Sequence, residues 1–210
     1  MRFAELDAVT VDGYGTLLQL LDPVPSLARS LAERGVDLEP ELVRSAFAAE
    51  VAYYRPEALR GRDPDSLARL RRDCTRLFLD AAGAELEPQS FVDDFMASIR
   101  FEPVPGAIEV LDELRGRGLE LAVVSNWDVG LCEHLERIGA GRLFSAVVTS
   151  AEAGAAKPDP EAFRLALERL GVEPARALHV GDEDEDERGA AAAGMQFARA
   201  PLATAFAGWS

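Results

Sequence analysis

The sequence predicts an α/β fold, a parallel sheet interrupted after its first strand by a helical insertion. Three observations carry that prediction. A short apolar run, Ala8–Val11, stops at Asp12 in a glycine-containing loop. From residue 107 onward, short apolar runs alternate with segments of helical spacing, the pattern of strands joined by crossover helices. Between these regions, residues 23–95 are charged and apolar-striped, as in LVRSAFAAEVAYY and LARLRRDCTRLFLDAAG, with few strand candidates. The chain therefore reads as a first core segment at 1–16, a helical layer at 17–99 that would cover the site, and a second core segment at 100–210.

The first strand, AVTV, is apolar throughout, as a strand buried on both faces must be, and delivers Asp12 to its carboxyl end. After the turn-rich FEPVPG, residues 107–114 read as an amphipathic helix and 119–124 as a strand that ends at Ser125-Asn126. A helix at 129–138 and a strand at 146–148 follow. Lys157-Pro158 opens a connection to a helix at 161–170, which Gly171 ends. Residues 177–180 are a short strand leading into Gly181-Asp182, and 196–198 a last edge strand. In such a sheet the loops at the carboxyl ends of the strands converge on one site.

Composition narrows the function. With 210 residues, 48% of them hydrophobic, the chain supports a sizeable core. Its 37 acidic against 22 basic residues give a net charge of -15, which disfavours nucleic acid and anionic membrane surfaces as partners. No apolar run is long enough to span a bilayer, and the N-terminus lacks a signal-peptide layout. Two cysteines, Cys74 and Cys132, with no Cys-x-x-Cys spacing, fit a reducing, cytoplasmic setting. An apolar face on the helical layer leaves room for a homodimer.

Asp12, fixed after a buried strand, either attacks phosphorus or an electrophilic carbon to form a covalent aspartyl intermediate or is a loop Asp that hydrogen-bonds its own turn. Ser125 and Asn126, at the mouth of the next strand, offer hydrogen bonds to substrate oxygens or, since both residues cap readily, serve a turn or helix start. Lys157 is the only lysine in the chain, a compact point charge suited to a carboxylate nucleophile or a phosphate. The run Asp182-Glu183-Asp184-Glu185-Asp186-Glu187 repels itself unless solvent, arginine or a cation compensates it, and Mg²⁺ suits such oxygen donors. Asp182, at the strand end, is the leading ligand, with Asp186 as a ligand or support. The other four read as a solvated helix entry. His134 and His179 read as structural.

The ordered set DGYGTL, VVSNWD, AAKPDP and HVGDEDED resembles the haloacid dehalogenase-like (HAD) superfamily. That resemblance implies a Rossmann-like core with a helical cap. It casts Asp12 as nucleophile, Lys157 as the orienting charge, and Ser125 as a binder of substrate oxygens. Asp12, Asp182 and the Tyr14 main-chain carbonyl would hold Mg²⁺, with Asp186 in support. The implied activity is hydrolysis of a small anionic phosphorylated metabolite. One position departs from the pattern: phosphatases of the family carry a second Asp two residues after the nucleophile, where this chain has Tyr14. A phenol is too weak an acid to do that group's work at neutral pH. The D-x-Y-G-T-L form instead resembles metal-independent 2-haloacid dehalogenases, whose cap arginine has Ala48 at its expected place here, leaving Arg44 or Arg55 as substitutes. Their fourth motif contains Ser and Asn, whereas this chain retains Gly181-Asp182. A noncatalytic binding protein is the third alternative.

Overall fold

The computed structural model describes residues 3–206; residues 1–2 and 207–210, the outer ends of the two core segments read from sequence, lie outside the described residues. The chain divides into two compact units, Met1–Gln19 with Phe101–Ser210, and Leu20–Arg100. Along the chain run β1 (Ala8–Val11), β2 (Leu18–Leu20), α1 (Val24–Glu33), α2 (Pro40–Glu57), α3 (Pro64–Ala82), α4 (Pro88–Ser98) and β3 (Phe101–Pro103). There follow α5 (Ala107–Gly116), β4 (Glu120–Ser125), α6 (Leu131–Arg137), β5 (Ala146–Thr149), α7 (Ser150–Ala153) and α8 (Glu161–Leu170). The last elements are β6 (Ala177–Gly181), α9 (Asp184–Ala192), β7 (Gln196–Arg199) and α10 (Leu202–Ala205).

The first unit holds a five-stranded sheet in the order β5-β4-β1-β6-β7, with every pairing parallel. All four residues of β1 are buried, which is why its sequence is apolar without alternation. One face packs on Leu111, Leu114, Leu131 and Leu135, and the other on Phe163, Ala166 and Ala190. Because β1 is central and the chain passes from it to either side, its carboxyl end is a topological switch point. Val11 is in register with Val123 of β4 and Val180 of β6, so Asp12, Ser125 and Asp182 emerge at the same edge.

Two expectations change on inspection. The segment read as a turn-rich link begins with β3, which pairs with β2 in a two-stranded ribbon, and the Gln19 side-chain amide donates to Glu102 at 2.7 Å. The helix expected from 129 starts at Leu131, because Asp128 accepts from the Gly130 amide at 2.7 Å and holds the chain in a turn.

The second unit is four helices around Leu27, Leu31, Phe78, Phe91 and Phe95. Proline occupies the first helical position of α2, α3 and α4, where its fixed φ helps and its missing N–H costs nothing. Asp63 caps α3 through the Ser66 amide at 2.8 Å, and Gly83, at φ 65°, ends it.

Glu50 of α2 is buried in this helical unit. Burial pushes its carboxyl up to about 7, against a smaller opposing effect of a hydrogen bond from Cys74. The folded chain thus holds this proton more tightly than the unfolded chain, whose carboxyl titrates near 4.5. The resulting stabilisation is complete below the unfolded value and is lost as pH rises through about 7. In urea unfolding, the stability difference between the wild type and Glu50→Gln should shift by roughly 3 kcal/mol across that window, the wild type losing more as pH rises. Parallel profiles for the two proteins would contradict this account.

Candidate active site

Asp12 leaves β1 with its amide donating to the Val180 carbonyl at 2.9 Å, so the main chain at this carboxylate is held by the neighbouring strand. The residue is 6% exposed. Ser125, at the end of β4, donates to Asp12 Oδ1 at 3.2 Å, and the Lys157 ammonium donates to the same oxygen. Lys157 also donates to Asp186 Oδ1 at 2.5 Å and to the Val124 carbonyl at 3.2 Å. Its three N–H bonds are therefore directed to two carboxylates and one carbonyl.

Burial drives the Asp12 carboxyl upward, Lys157 pulls it back and Asp186 pushes it up again, leaving it at about 6. Burial by itself would also raise Asp186, but the His179 hydrogen bond and the Lys157 charge outweigh it and hold Asp186 well below the usual carboxylate range. Burial lowers Lys157, yet the two carboxylates more than compensate, so its ammonium is held above its ordinary value. At neutral pH this is a buried cation between two anions.

The loop from Gly13 to Leu17 is shaped around Asp182. Thr16 donates to Asp182 Oδ1 at 3.1 Å, and Gly15 takes φ +88°. A Cβ at Gly15 would stand 2.4 Å from Asp182 Oδ2, so only glycine lets the main chain pass. Gly181 has a similar role, since a Cβ there would lie 2.3 Å from Asp186 Cγ.

The acidic run is resolved into separate tasks. Asp186 is buried, with Oδ1 near Lys157 and His179 and Oδ2 accepting from the Glu183 amide at 3.0 Å, which closes the first turn of α9. Arg199 of β7 donates to the Asp182 carbonyl at 2.9 Å, to Asp184 at 3.1 Å and to Glu187 at 2.9 Å, offsetting the local repulsion. Asp182 itself is exposed at the mouth.

Oxygens of Asp12, Asp182 and Asp186 lie within 4.8 Å of one another. This all-oxygen set fits a hard divalent cation. With both Asp186 oxygens engaged by the protein, Asp12 and Asp182 are the carboxylates with capacity to spare, and Tyr14 belongs to the loop that links them.

The structure thus brings Asp12, Ser125, Lys157, Asp182 and Asp186 together. Asn126 lies against the Lys157 main chain: its Oδ1 accepts from the Lys157 amide at 2.7 Å and its Nδ2 donates to the Lys157 carbonyl at 3.3 Å. It fixes the main chain that carries the ammonium. Tyr14 is 46% exposed, with its ring edge-on to Phe101 at 6.5 Å. Thr16, His179 and Arg199 do not stand out in the sequence as site residues; the one signal there is a histidine inside an otherwise apolar strand.

A family model for haloacid dehalogenase-like hydrolases matches residues 6–194. The chain is 45% identical over 104 residues to the haloacid dehalogenase-like hydrolase domain-containing protein 3 of Mus musculus, covering 49% of this chain and 41% of that one. It is 40% identical over 120 residues to the phosphoserine phosphatase of Thermus thermophilus, covering 56% and 48% respectively. These alignments span about half the length of the curated relatives. Among solved structures, the L-2-haloacid dehalogenase of Xanthobacter autotrophicus superposes with a TM-score of 0.66 at 29% identity, over 96% of this chain and 81% of that one. The four motifs meet at the carboxyl edge of a parallel sheet, and with a family match running nearly the length of the chain, the protein belongs to the haloacid dehalogenase-like hydrolases.

Proposed function

We propose that the protein is a magnesium-dependent phosphohydrolase acting on a small anionic phosphorylated metabolite through an aspartyl-phosphate on Asp12. The observation that carries the reading is Asp182. It is an exposed carboxylate clustered with the nucleophile, with Thr16 and Gly15 built around it and oxygen capacity left to bind a cation. Relatives named phosphoserine phosphatase, phosphoglycolate phosphatase and glyceraldehyde 3-phosphate phosphatase support the same class. Two free cysteines agree with a reducing cytoplasmic setting.

Asp12 and Asp182, with the Tyr14 carbonyl, would hold Mg²⁺, which when bound neutralises phosphate charge. Asp12 attacks phosphorus as its carboxylate; the new oxygen–phosphorus bond forms as the bond to the leaving oxygen breaks, and that oxygen keeps the electron pair. Lys157 offsets the negative charge that accumulates around Asp12, and Ser125 holds the carboxylate. Water then cleaves the aspartyl-phosphate, releasing phosphate and restoring the carboxylate. Tyr14 stands where an acid would protonate the leaving group, so the chemistry favours groups that depart without a proton, acyl and aryl phosphates among them. The same residue favours a second reading, displacement of halide from a 2-haloacid by Asp12, and the structural likeness to an L-2-haloacid dehalogenase supports it.

Phosphate-release assays should show activity lost on chelation and regained with Mg²⁺. Asp12→Asn should lower turnover by about 10⁴-fold or more, and Asp182→Asn by at least about 100-fold. Halide release from 2-haloacids that persists under chelation would transfer the assignment to the dehalogenase reading. Across aryl and alkyl phosphates, kcat/KM should fall roughly three- to tenfold per unit of leaving-group pKa, and Tyr14→Asp should flatten that slope. Equal rates on aryl and alkyl esters in the unaltered protein would contradict the role assigned to Tyr14.

A further inference from the structure

The proposed reaction leaves a buried imidazole at the site without a task. His179, in the middle of β6, is fully buried, directly across from Thr10 of β1 in the parallel register. Its Nδ1 lies 2.8 Å from the Thr10 hydroxyl and its Nε2 lies 3.3 Å from Asp186 Oδ1. The Phe163 ring stands edge-on to the imidazole at 4.8 Å, and the Phe197 ring is 6.4 Å away. A space-filling role would need neither polar contact.

The hydrogen-bond pattern fixes the tautomer. An ionised Asp186 can only accept, so the N–H of a neutral imidazole lies on Nε2 and Nδ1 accepts from Thr10. Burial, which lowers His179 to about 4, keeps the ring neutral. Asp186 Oδ1 is the same oxygen that receives the Lys157 ammonium. A continuous path therefore runs from Thr10 through His179, Asp186 and Lys157 to Asp12.

We infer that His179 is a positioning residue: its Nε2–H fixes the Asp186 carboxylate, and that carboxylate holds the Lys157 ammonium against the nucleophile. The kinetic part of this inference rests on the phosphohydrolase reading; the structural part does not. A neutral donor suits the task. It orients Asp186 without placing a second buried cation beside Lys157, which would repel it.

The test compares His179→Gln, His179→Asn and His179→Phe. A glutamine amide nitrogen extends to the level of the imidazole Nε2 and keeps the donor to Asp186. Asparagine reaches only the level of Nδ1 and loses it, and phenylalanine fills the volume without donating. Because Lys157 is the sole lysine, [¹⁵N]lysine labelling gives a single side-chain ammonium signal, observable when its protons are hydrogen-bonded and sheltered from solvent. We expect that signal in the metal-free wild type and in His179→Gln, and its loss in His179→Asn and His179→Phe. With Mg²⁺, kcat should fall about tenfold to a hundredfold in the last two and recover to within about threefold in His179→Gln, with KM little changed.

Should His179→Phe fail to fold, the Gln and Asn pair still decides. An unchanged ammonium signal and unchanged kcat in His179→Asn would overturn the inference. Absence of phosphate release in every protein, with the ammonium pattern as expected, would sink the phosphohydrolase reading while supporting the role of His179.

Discussion

The site is organised around a buried ammonium between two buried carboxylates. Each of Asp12, Lys157 and Asp186 would be costly to take out of water alone, and the cost is offset only when each charge meets its partners in good geometry. The elements that converge here supply that geometry. β1 brings Asp12 and β4 brings the Val124 carbonyl; the loop after α7 brings Lys157, and α9 brings Asp186. Removing one charge leaves the others exposed to a low-dielectric surrounding that no longer compensates them.

Close approach is the second requirement. The nucleophile's loop passes so close to the acidic segment that a side chain at Gly15 would occupy the space of Asp182, and within the acidic segment one at Gly181 would occupy that of Asp186. Glycine at those positions thus belongs to the charge arrangement as directly as the carboxylates do. Division of labour among like charges follows. Asp186 is saturated by protein donors and remains inside, while Asp182 keeps capacity for a cation at the mouth. Arg199 pairs with Asp184 and Glu187, which offsets the repulsion among the four carboxylates in the first turn of α9.

Much of this was legible from residue order. The strand Ala8–Val11 and the helix Glu161–Leu170 have the bounds their patterns implied, since a run buried on both faces and a striped segment stopped by glycine are local signals. The ribbon of β2 and β3 was not legible. Each strand is three residues long, and the partners are separated by the whole helical insertion. The same limit applies within the site. Asp12, Lys157 and Asp182 stand out by position or rarity, but the use of Asn126 to hold the Lys157 backbone depends on a contact across 31 residues. His179 reads as a structural histidine until Asp186 is seen seven residues later on the adjoining helix turn.

The chemistry depends on Lys157 being held as a cation between Asp12 and Asp186. Its being the sole lysine permits a direct measurement: ¹³C labelling of the lysine side chain, followed by NMR titration of the metal-free protein toward alkaline pH. A single resonance should remain in the ammonium form through the ordinary lysine midpoint of 10.5, titrating only above it. A midpoint at or below that value would show that burial outweighs the two carboxylates, and would contradict the arrangement on which the proposed chemistry depends.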